Sequence, residues 1–291
     1  MIKQDTLQIQ ANKSATAPTP HNQAGSIRKS ALDILEATSR TFFIPISRLP
    51  AGLLEAVGSG YLCMRAIDEI EDHPDLDAHS KVKLLRVISQ SLQSAVDGLK
   101  WETLEATLIS YKNVIPEVTL RLCEWLQLSP DSIAPRIWDA TATMADRMAD
   151  WVEANWIVRS QADLDRYTFS VAGTVGLMLS DLWGWFDGTR TDRINAIGFG
   201  RGLQAVNILR NRAEDLTKGV DFFPKGWGEA EMHAYARRNL DYGDAYVQEL
   251  PLGPAMDFCK IPLILAHATI DALAEGRSKL SRTEVMRLVA E

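Results

Sequence analysis

Two sets of oxygen-bearing side chains in this sequence have the spacing of a chemical site. Asp68, Glu69, Glu71 and Asp72 crowd the end of an apolar stretch, and Asn207, Asn211 and Asp215 recur four residues apart in another. On a helix Asp68 and Asp72 share one face. Carboxylates at that spacing repel by about 0.2–0.5 kcal/mol, and at a C-terminal helix end the dipole disfavours them further. A hard divalent cation removes both penalties, and Mg²⁺ takes oxygen ligands. A solvated helix end is the plainer alternative. The second stripe sits among Ala205, Val206, Ile208 and Leu209, so it is expected to face inward or border a cavity. Buried polar groups without partners cost about 1–3 kcal/mol each. The stripe therefore needs either interhelical hydrogen bonds or a bound ion. Two such stripes on two apolar helices point to metal ions bridging protein carboxylates and substrate phosphates.

Basic and aromatic residues accompany both. Arg40 follows Ser39 ahead of Phe42 and Phe43, Arg65 precedes Asp68, and Arg210 and Arg212 flank Asn211. A guanidinium beside carboxylates serves as a structural ion pair or as a two-pronged phosphate ligand. Between the stripes lies Tyr167-Thr168-Phe169-Ser170-Val171-Ala172-Gly173-Thr174-Val175-Gly176. Each glycine inside such a helix costs about 1 kcal/mol relative to alanine, which close helix packing or room for a ligand chain would repay. Tyr167 is placed to present a phenol to a cavity.

The elements that must hold these groups are helices. Apolar residues recur three and four apart over 27–35, 53–70, 82–99, 114–126, 133–156, 164–185, 194–216, 229–250 and 254–273, with a short helix from Arg282. Breakers containing Pro or Gly separate most of them, and Ser281 with Glu284 forms a capping-box pattern. No alternating strand pattern and no internal repeat is present. The reading is all-α, a single domain of roughly ten helices around a central cavity, spanning 27–291. Residues 1–26, rich in Ala, Ser, Thr, Pro, Asn and Gln, read as a disordered tail without the apolar run of a signal peptide.

Composition narrows the classes. A net charge of -7 argues against an extended nucleic-acid surface. The three cysteines, Cys63, Cys123 and Cys259, are far apart and odd in number, which suits a reducing, cytoplasmic setting. No stretch of about 18 uncharged apolar residues offers a membrane span.

With these residues in view, the chain resembles the squalene/phytoene synthases, which join two prenyl diphosphates head to head. Ser39-Arg40-Thr41-Phe42 is similar to the family's N-terminal signature, and residues 61–72 resemble its first acidic motif, YLxxRxxDxxED. Residues 167–176 resemble YxxxVAGxVG, and residues 204–224 the second acidic motif, QxxNIxRDxxEDxxxGRxxxP. Phe258-Cys259-Lys260-Ile261-Pro262 is similar to a segment of squalene synthases in particular. The resemblance implies an all-α isoprenoid synthase fold. It implies Mg²⁺ ligation by Asp68, Glu71, Asp72, Asn207, Asn211 and Asp215. It further implies diphosphate contacts from Ser39, Arg40, Arg65 and Arg210, with catalytic roles for Tyr167 and Tyr61. The implied activity is transfer of a prenyl group between two prenyl diphosphates, farnesyl diphosphate being favoured. A squalene product would also call for reduction by NADPH.

Two departures stand in the second motif. Asn211 replaces its aspartate and Val220 its arginine, with Lys218 nearby as a partial substitute cation. Asn207, Asn211 and Asp215 are also similar to the metal triad of class I terpene cyclases, which ionise a single prenyl diphosphate. A cyclase, or a non-catalytic prenyl-diphosphate-binding paralogue, is therefore the alternative expectation. An apolar product would make transient membrane contact plausible without a membrane span.

Overall fold

The structure, a computed structural model, describes residues 20–94 and 101–290. The side chains of residues 20–26 and of Arg40 lie outside the described set. Among the described residues there is no strand, and the helices in chain order are α1 (Pro20–Thr38), α2 (Arg40–Ser47), α3 (Leu53–Glu71), α4 (Ala78–Gln93) and α5 (Glu102–Ser110). Two short helices, α6 (Glu117–Leu120) and α7 (Leu122–Leu126), lead into α8 (Ala134–Glu153) and α9 (Gln161–Thr168). A π-helical turn, Phe169–Gly173, joins α9 to α10 (Thr174–Asp187). The chain ends with α11 (Arg193–Thr217), α12 (Glu229–Glu249), α13 (Pro254–Ala274) and α14 (Arg282–Ala290).

The expected ten helices are thus more numerous, for local reasons. Helix α1 begins at Pro20 rather than Ile27, proline's fixed φ suiting a first turn. Of the expected tail, residues 1–19 lie outside the described residues. Helix α5 has only Leu104 and Leu108 buried, too thin a stripe to read from periodicity. The run over 114–126 breaks at Arg121, and the run over 164–185 is interrupted by the π turn.

Helix α3 is the central element. Leu53, Ala56, Leu62, Cys63, Ala66, Ile67 and Ile70 are fully buried, on more than one face of the helix, as befits an interior helix. Its start is fixed by Glu55, whose carboxylate accepts the Gly52 N–H at 2.5 Å. Helix α11, the longest, is N-capped by Asp192, whose Oδ1 accepts from Ile194 and Asn195 at 2.7 and 2.9 Å. It packs along α12 and against the π turn and α10.

The glycines of the central motif make that last contact possible. A Cβ on Gly176 would sit 2.0 Å from the Ala196 carbonyl oxygen, and one on Gly200 would sit 2.1 Å from that of Ala172. Two backbones therefore touch reciprocally, and close packing, not space for a ligand chain, is what Gly176 provides. No helix among the described residues is long and apolar enough to cross a membrane.

Candidate functional site

Helices α3 and α11 both end in acidic residues, and these ends meet around Tyr167. Tyr167 is buried near the end of α9. Its phenol titrates well above the ordinary range, first because of burial and then because of the negative charges of Glu71, Asp72, Asp68 and Asp215. One hydroxyl thus feels four carboxylates from two distant segments. The phenol is held by rings on two sides: Phe222 stacks on it with centroids 4.5 Å apart and planes 20° apart. Trp151 meets it edge-on at 5.4 Å. The expected phenol facing an open cavity is instead covered. Among the described residues its hydroxyl has no hydrogen-bond partner.

The carboxylates differ in their surroundings. Burial pushes Asp68 up to about 7, with Asp72 and Glu69 adding and Arg65 opposing. Asp215 is also raised, by burial and by Asp72, against the pull of Lys218. Asp68, Asp72 and Asp215 form no ion pair among the described residues. Glu71 is different. It is buried and pushed up to about 8 by desolvation and by Asp72 and Asp68. Its Oε1 accepts the Trp156 indole N–H, and Lys81 Nζ donates to its carbonyl at 2.5 Å. Glu71 thus already has one oxygen engaged by Trp156, unlike Asp68, Asp72 and Asp215 among the described residues.

Trp156 itself was not foreseen. Asn155 and Trp156 adopt φ of 50° and 49°, a left-handed conformation that is costly for a bulky side chain. It aims the indole at Glu71, with Lys81 5.6 Å from the ring centroid. Strain of this kind collects where surrounding contacts enforce it, often at functional sites.

The basic residues are also distributed differently from expectation. Arg65 is ion-paired with Glu69 on its own helix. Arg210 lies exposed and donates from Nε to Asn211 Oδ1 at 3.2 Å. Lys218 pairs with Glu214 at 2.9 Å, one helical turn away. Arg212 turns to the following loop, 3.1 Å from Asp221. Asn207 is exposed rather than inward-facing, and Asn211 is half-buried. Near the middle of α3, on the face that carries Asp68, lies Tyr61, and in front of it Ser39 Oγ accepts the Phe42 N–H at 3.2 Å and so caps α2. Burial raises the Tyr61 phenol, with Ser39 and Arg65 opposing, and Phe42 packs 5.6 Å from its ring. Arg40 opens α2, but its side chain lies outside the described residues.

Could this arrangement hold Mg²⁺? Among the described residues no three His, Cys, Asp or Glu side chains stand close enough to form a ready-made metal cage. The donor set still suits a hard cation that is shared with a substrate anion. Asp68, Asp72 and Asp215 are oxygen donors from two helices, they disfavour one another's charge, and the nearby cations Arg65 and Lys218 are engaged with Glu69 and Glu214. Mg²⁺ is commonly bound through one or two carboxylates plus phosphate oxygens. A cavity of about 290 Å³ elsewhere, between α2, α13 and α14, is lined by Pro45, Arg48 and Phe258 among others and contains none of these residues.

Comparison with known proteins agrees with this geometry. The squalene/phytoene synthase family model matches residues 35–231. The chain is 28% identical to the squalene synthase of Eremothecium gossypii, over 96% of this chain and 69% of that protein. It is 26% identical to that of Dictyostelium discoideum, over 82% and 62%. It is 30% identical to squalene synthase BSS of Botryococcus braunii, over 82% and 57%. The chain thus spans 57% to 69% of these relatives' lengths. Among solved structures it resembles TcSQS in complex with the ligand E5700, with a TM-score of 0.73, 23% identity and coverage of 91% and 85%. It also resembles a dehydrosqualene synthase in complex with ligand, with a TM-score of 0.63, 17% identity and coverage of 94% and 97%. These structural likenesses speak to the fold alone, whereas the family match runs through both acidic motifs and the Tyr167 segment. The chain belongs to the squalene/phytoene synthase family, whose enzymes transfer prenyl groups.

Proposed function

We propose that this protein is a Mg²⁺-dependent prenyltransferase that condenses two prenyl diphosphates, of farnesyl length, head to head into a squalene- or phytoene-type product. The observation that supports it is the convergence of carboxylates from α3 and α11 on the covered phenol of Tyr167. Asp68, Asp72 and Asp215 would hold Mg²⁺, with Asn211 as a weaker oxygen donor. When bound, the metal supplies neutralising charge to the diphosphate leaving group. Arg210, exposed beside the stripe, would orient diphosphate oxygens, and Arg65, beside Asp68, would join it once released from Glu69.

The chemistry assigned to the chain's own residues follows from their environment. The allylic C–O bond breaks with its electron pair leaving on the diphosphate. A double bond of the second chain attacks the resulting cation, a C–C bond forms, and a proton is lost, leaving a joined intermediate that still carries the second diphosphate. That diphosphate then leaves with its electron pair, and the new cation loses a proton to give the unreduced hydrocarbon or takes a hydride from NADPH to give squalene. Tyr167 stays neutral at physiological pH, so its hydroxyl can donate a hydrogen bond to a departing diphosphate oxygen. Phe222 and Trp151 offer aromatic faces and edges beside it, the kind of surface that stabilises a cation.

The test is incubation of the purified protein with Mg²⁺ and farnesyl or geranylgeranyl diphosphate, with and without NADPH, followed by mass spectrometry. A C30 or C40 product is expected, and its dependence on NADPH separates squalene from an unreduced product. A C15 or C20 cyclic product with no dimer would overturn the reading in favour of a single-substrate cyclase. Binding of prenyl diphosphate without any pyrophosphate release would favour a non-catalytic binder.

A further inference from the structure

The loop between α11 and α12 carries the ring that covers Tyr167, and we propose that Arg212 is the positioning residue that clamps this loop and so shields the reacting carbocation from water. This inference rests on the prenyl-diphosphate reading above for its chemistry, but not for its geometry. The sequence left Arg212, beside Asn211, open between a structural ion pair and a phosphate contact. The structure turns it onto the loop. Its Nη2 lies 3.1 Å from Asp221 Oδ2, and its guanidinium carbon is 3.7 Å from the ring centroid of Phe223. Asp221 in turn accepts the Phe223 N–H at 3.0 Å through its other oxygen. The Val220 N–H is tied back to the Asp215 carbonyl at 3.0 Å. Between these anchored neighbours sits Phe222, the ring stacked on Tyr167.

A guanidinium suits this task because one flat face stacks on an aromatic ring while its edge binds a carboxylate. Lysine offers only a point charge. The Arg212 Nε is buried and has no hydrogen-bond partner, so the contacts at Asp221 and Phe223 account for what this side chain does. Phe222 is half-buried and Phe223 is buried, so if the clamp lets go, the half-exposed ring has least to hold it.

The consequence is chemical partition. Once the allylic C–O bond has broken and pyrophosphate has left with the electron pair, two nucleophiles compete for the cation. If the second chain's double bond attacks, a C–C bond forms and a proton is lost. If a water oxygen attacks, a C–O bond forms, a proton passes to solvent, and a prenyl alcohol results. The cover over Tyr167 favours the first path by excluding the second nucleophile.

Four proteins test this: wild type, Arg212→Met, Phe222→Leu and, as the conservative control, Arg212→Lys. With farnesyl diphosphate and Mg²⁺, pyrophosphate release is measured beside the ratio of prenyl alcohol to condensed product. Loss of the cation–π contact and ion pair is expected to open the loop about tenfold more often. The alcohol share should rise by a similar factor in Arg212→Met, while pyrophosphate release changes much less, and it should also rise in Phe222→Leu, whose ring faces the reacting centre and whose pyrophosphate release is expected to fall as well. Arg212→Lys should fall between. Independently of turnover, nitration of Tyr167 by tetranitromethane, read by peptide mass spectrometry, should be slow in wild type and faster in Arg212→Met. Unchanged product ratios in an active, folded variant would overturn the shielding role. Unchanged Tyr167 protection in Arg212→Met would overturn the clamp itself. A wild type that releases no pyrophosphate would instead defeat the reaction proposed above, and the nitration result would still decide the clamp.

Discussion

Replacing Asp68 by asparagine should stabilise the metal-free protein while removing its activity. In the folded chain burial holds Asp68 at about 7, against an ordinary value of 3.8. A displacement of about three pH units corresponds to about 4 kcal/mol at 1.36 kcal/mol per unit. Because Asp68 is only partly buried at the mouth of the site, screening by water brings the expected gain to about 2 kcal/mol. The sign follows from proton linkage. Between roughly pH 4 and 7 the folded state holds a proton that the unfolded state has released, so the stability contributed by neutral Asp68 falls as pH rises and is gone above the folded value. Asparagine removes this dependence. For a chain of 291 residues, with an unfolding entropy of about 2.1 cal/mol/K per residue, the gain corresponds to a melting temperature about 3 °C above wild type, measured in EDTA at pH 8. At pH 5 the difference should be less than half as large. Adding Mg²⁺ with pyrophosphate should raise the wild-type melting temperature and leave the variant nearly unmoved, and turnover should drop about a hundredfold or more. A variant no more stable than wild type at pH 8, or a difference independent of pH, would refute the argument that Asp68 is held at electrostatic cost for a cation.

Three further expectations follow from particular contacts. Gly176→Ala and Gly200→Ala each drive a methyl into a carbonyl oxygen of the facing segment and should cost about 1–3 kcal/mol or more, read as a lower urea midpoint with the m-value unchanged. Trp156→Phe removes the indole N–H from Glu71 and should destabilise by about 1–3 kcal/mol. That hydrogen bond favours the ionised carboxylate and Glu71 sits at about 8, so the loss should be larger at pH 9 than at pH 6 in paired thermal melts. Asn211→Asp should lower the Mg²⁺ concentration needed for half-maximal turnover, since a carboxylate binds Mg²⁺ better than an amide. Abolished turnover in that variant would make the neutral oxygen functional and favour a single-substrate cyclase.

What the sequence revealed and what it hid divide along a physical line. The ends of α3 and α11 were legible because carboxylates at the end of an apolar helix are locally unfavourable, and that mismatch is written in adjacent residues. Glycines at 173 and 176 were legible for the same reason, although only the facing Ala196 carbonyl decides that Gly176 serves packing. The π turn was not legible, because Phe169–Gly173 has the composition of an ordinary apolar helix and its altered hydrogen bonding is imposed by the fit against α11. Partner choice was the largest gap. Arg65, Lys218 and Arg212 all carry the charge that a diphosphate needs. Which of them remains available depends on Glu69, Glu214 and Asp221, each within reach only once helix phase and loop path are fixed. Trp156 and Phe222 gave no signal at all, since one works through a left-handed backbone and the other through a ring on a loop. A motif therefore reports where charge is concentrated, and the competition among neighbouring charges, settled only in three dimensions, decides which residues are left to meet the substrate.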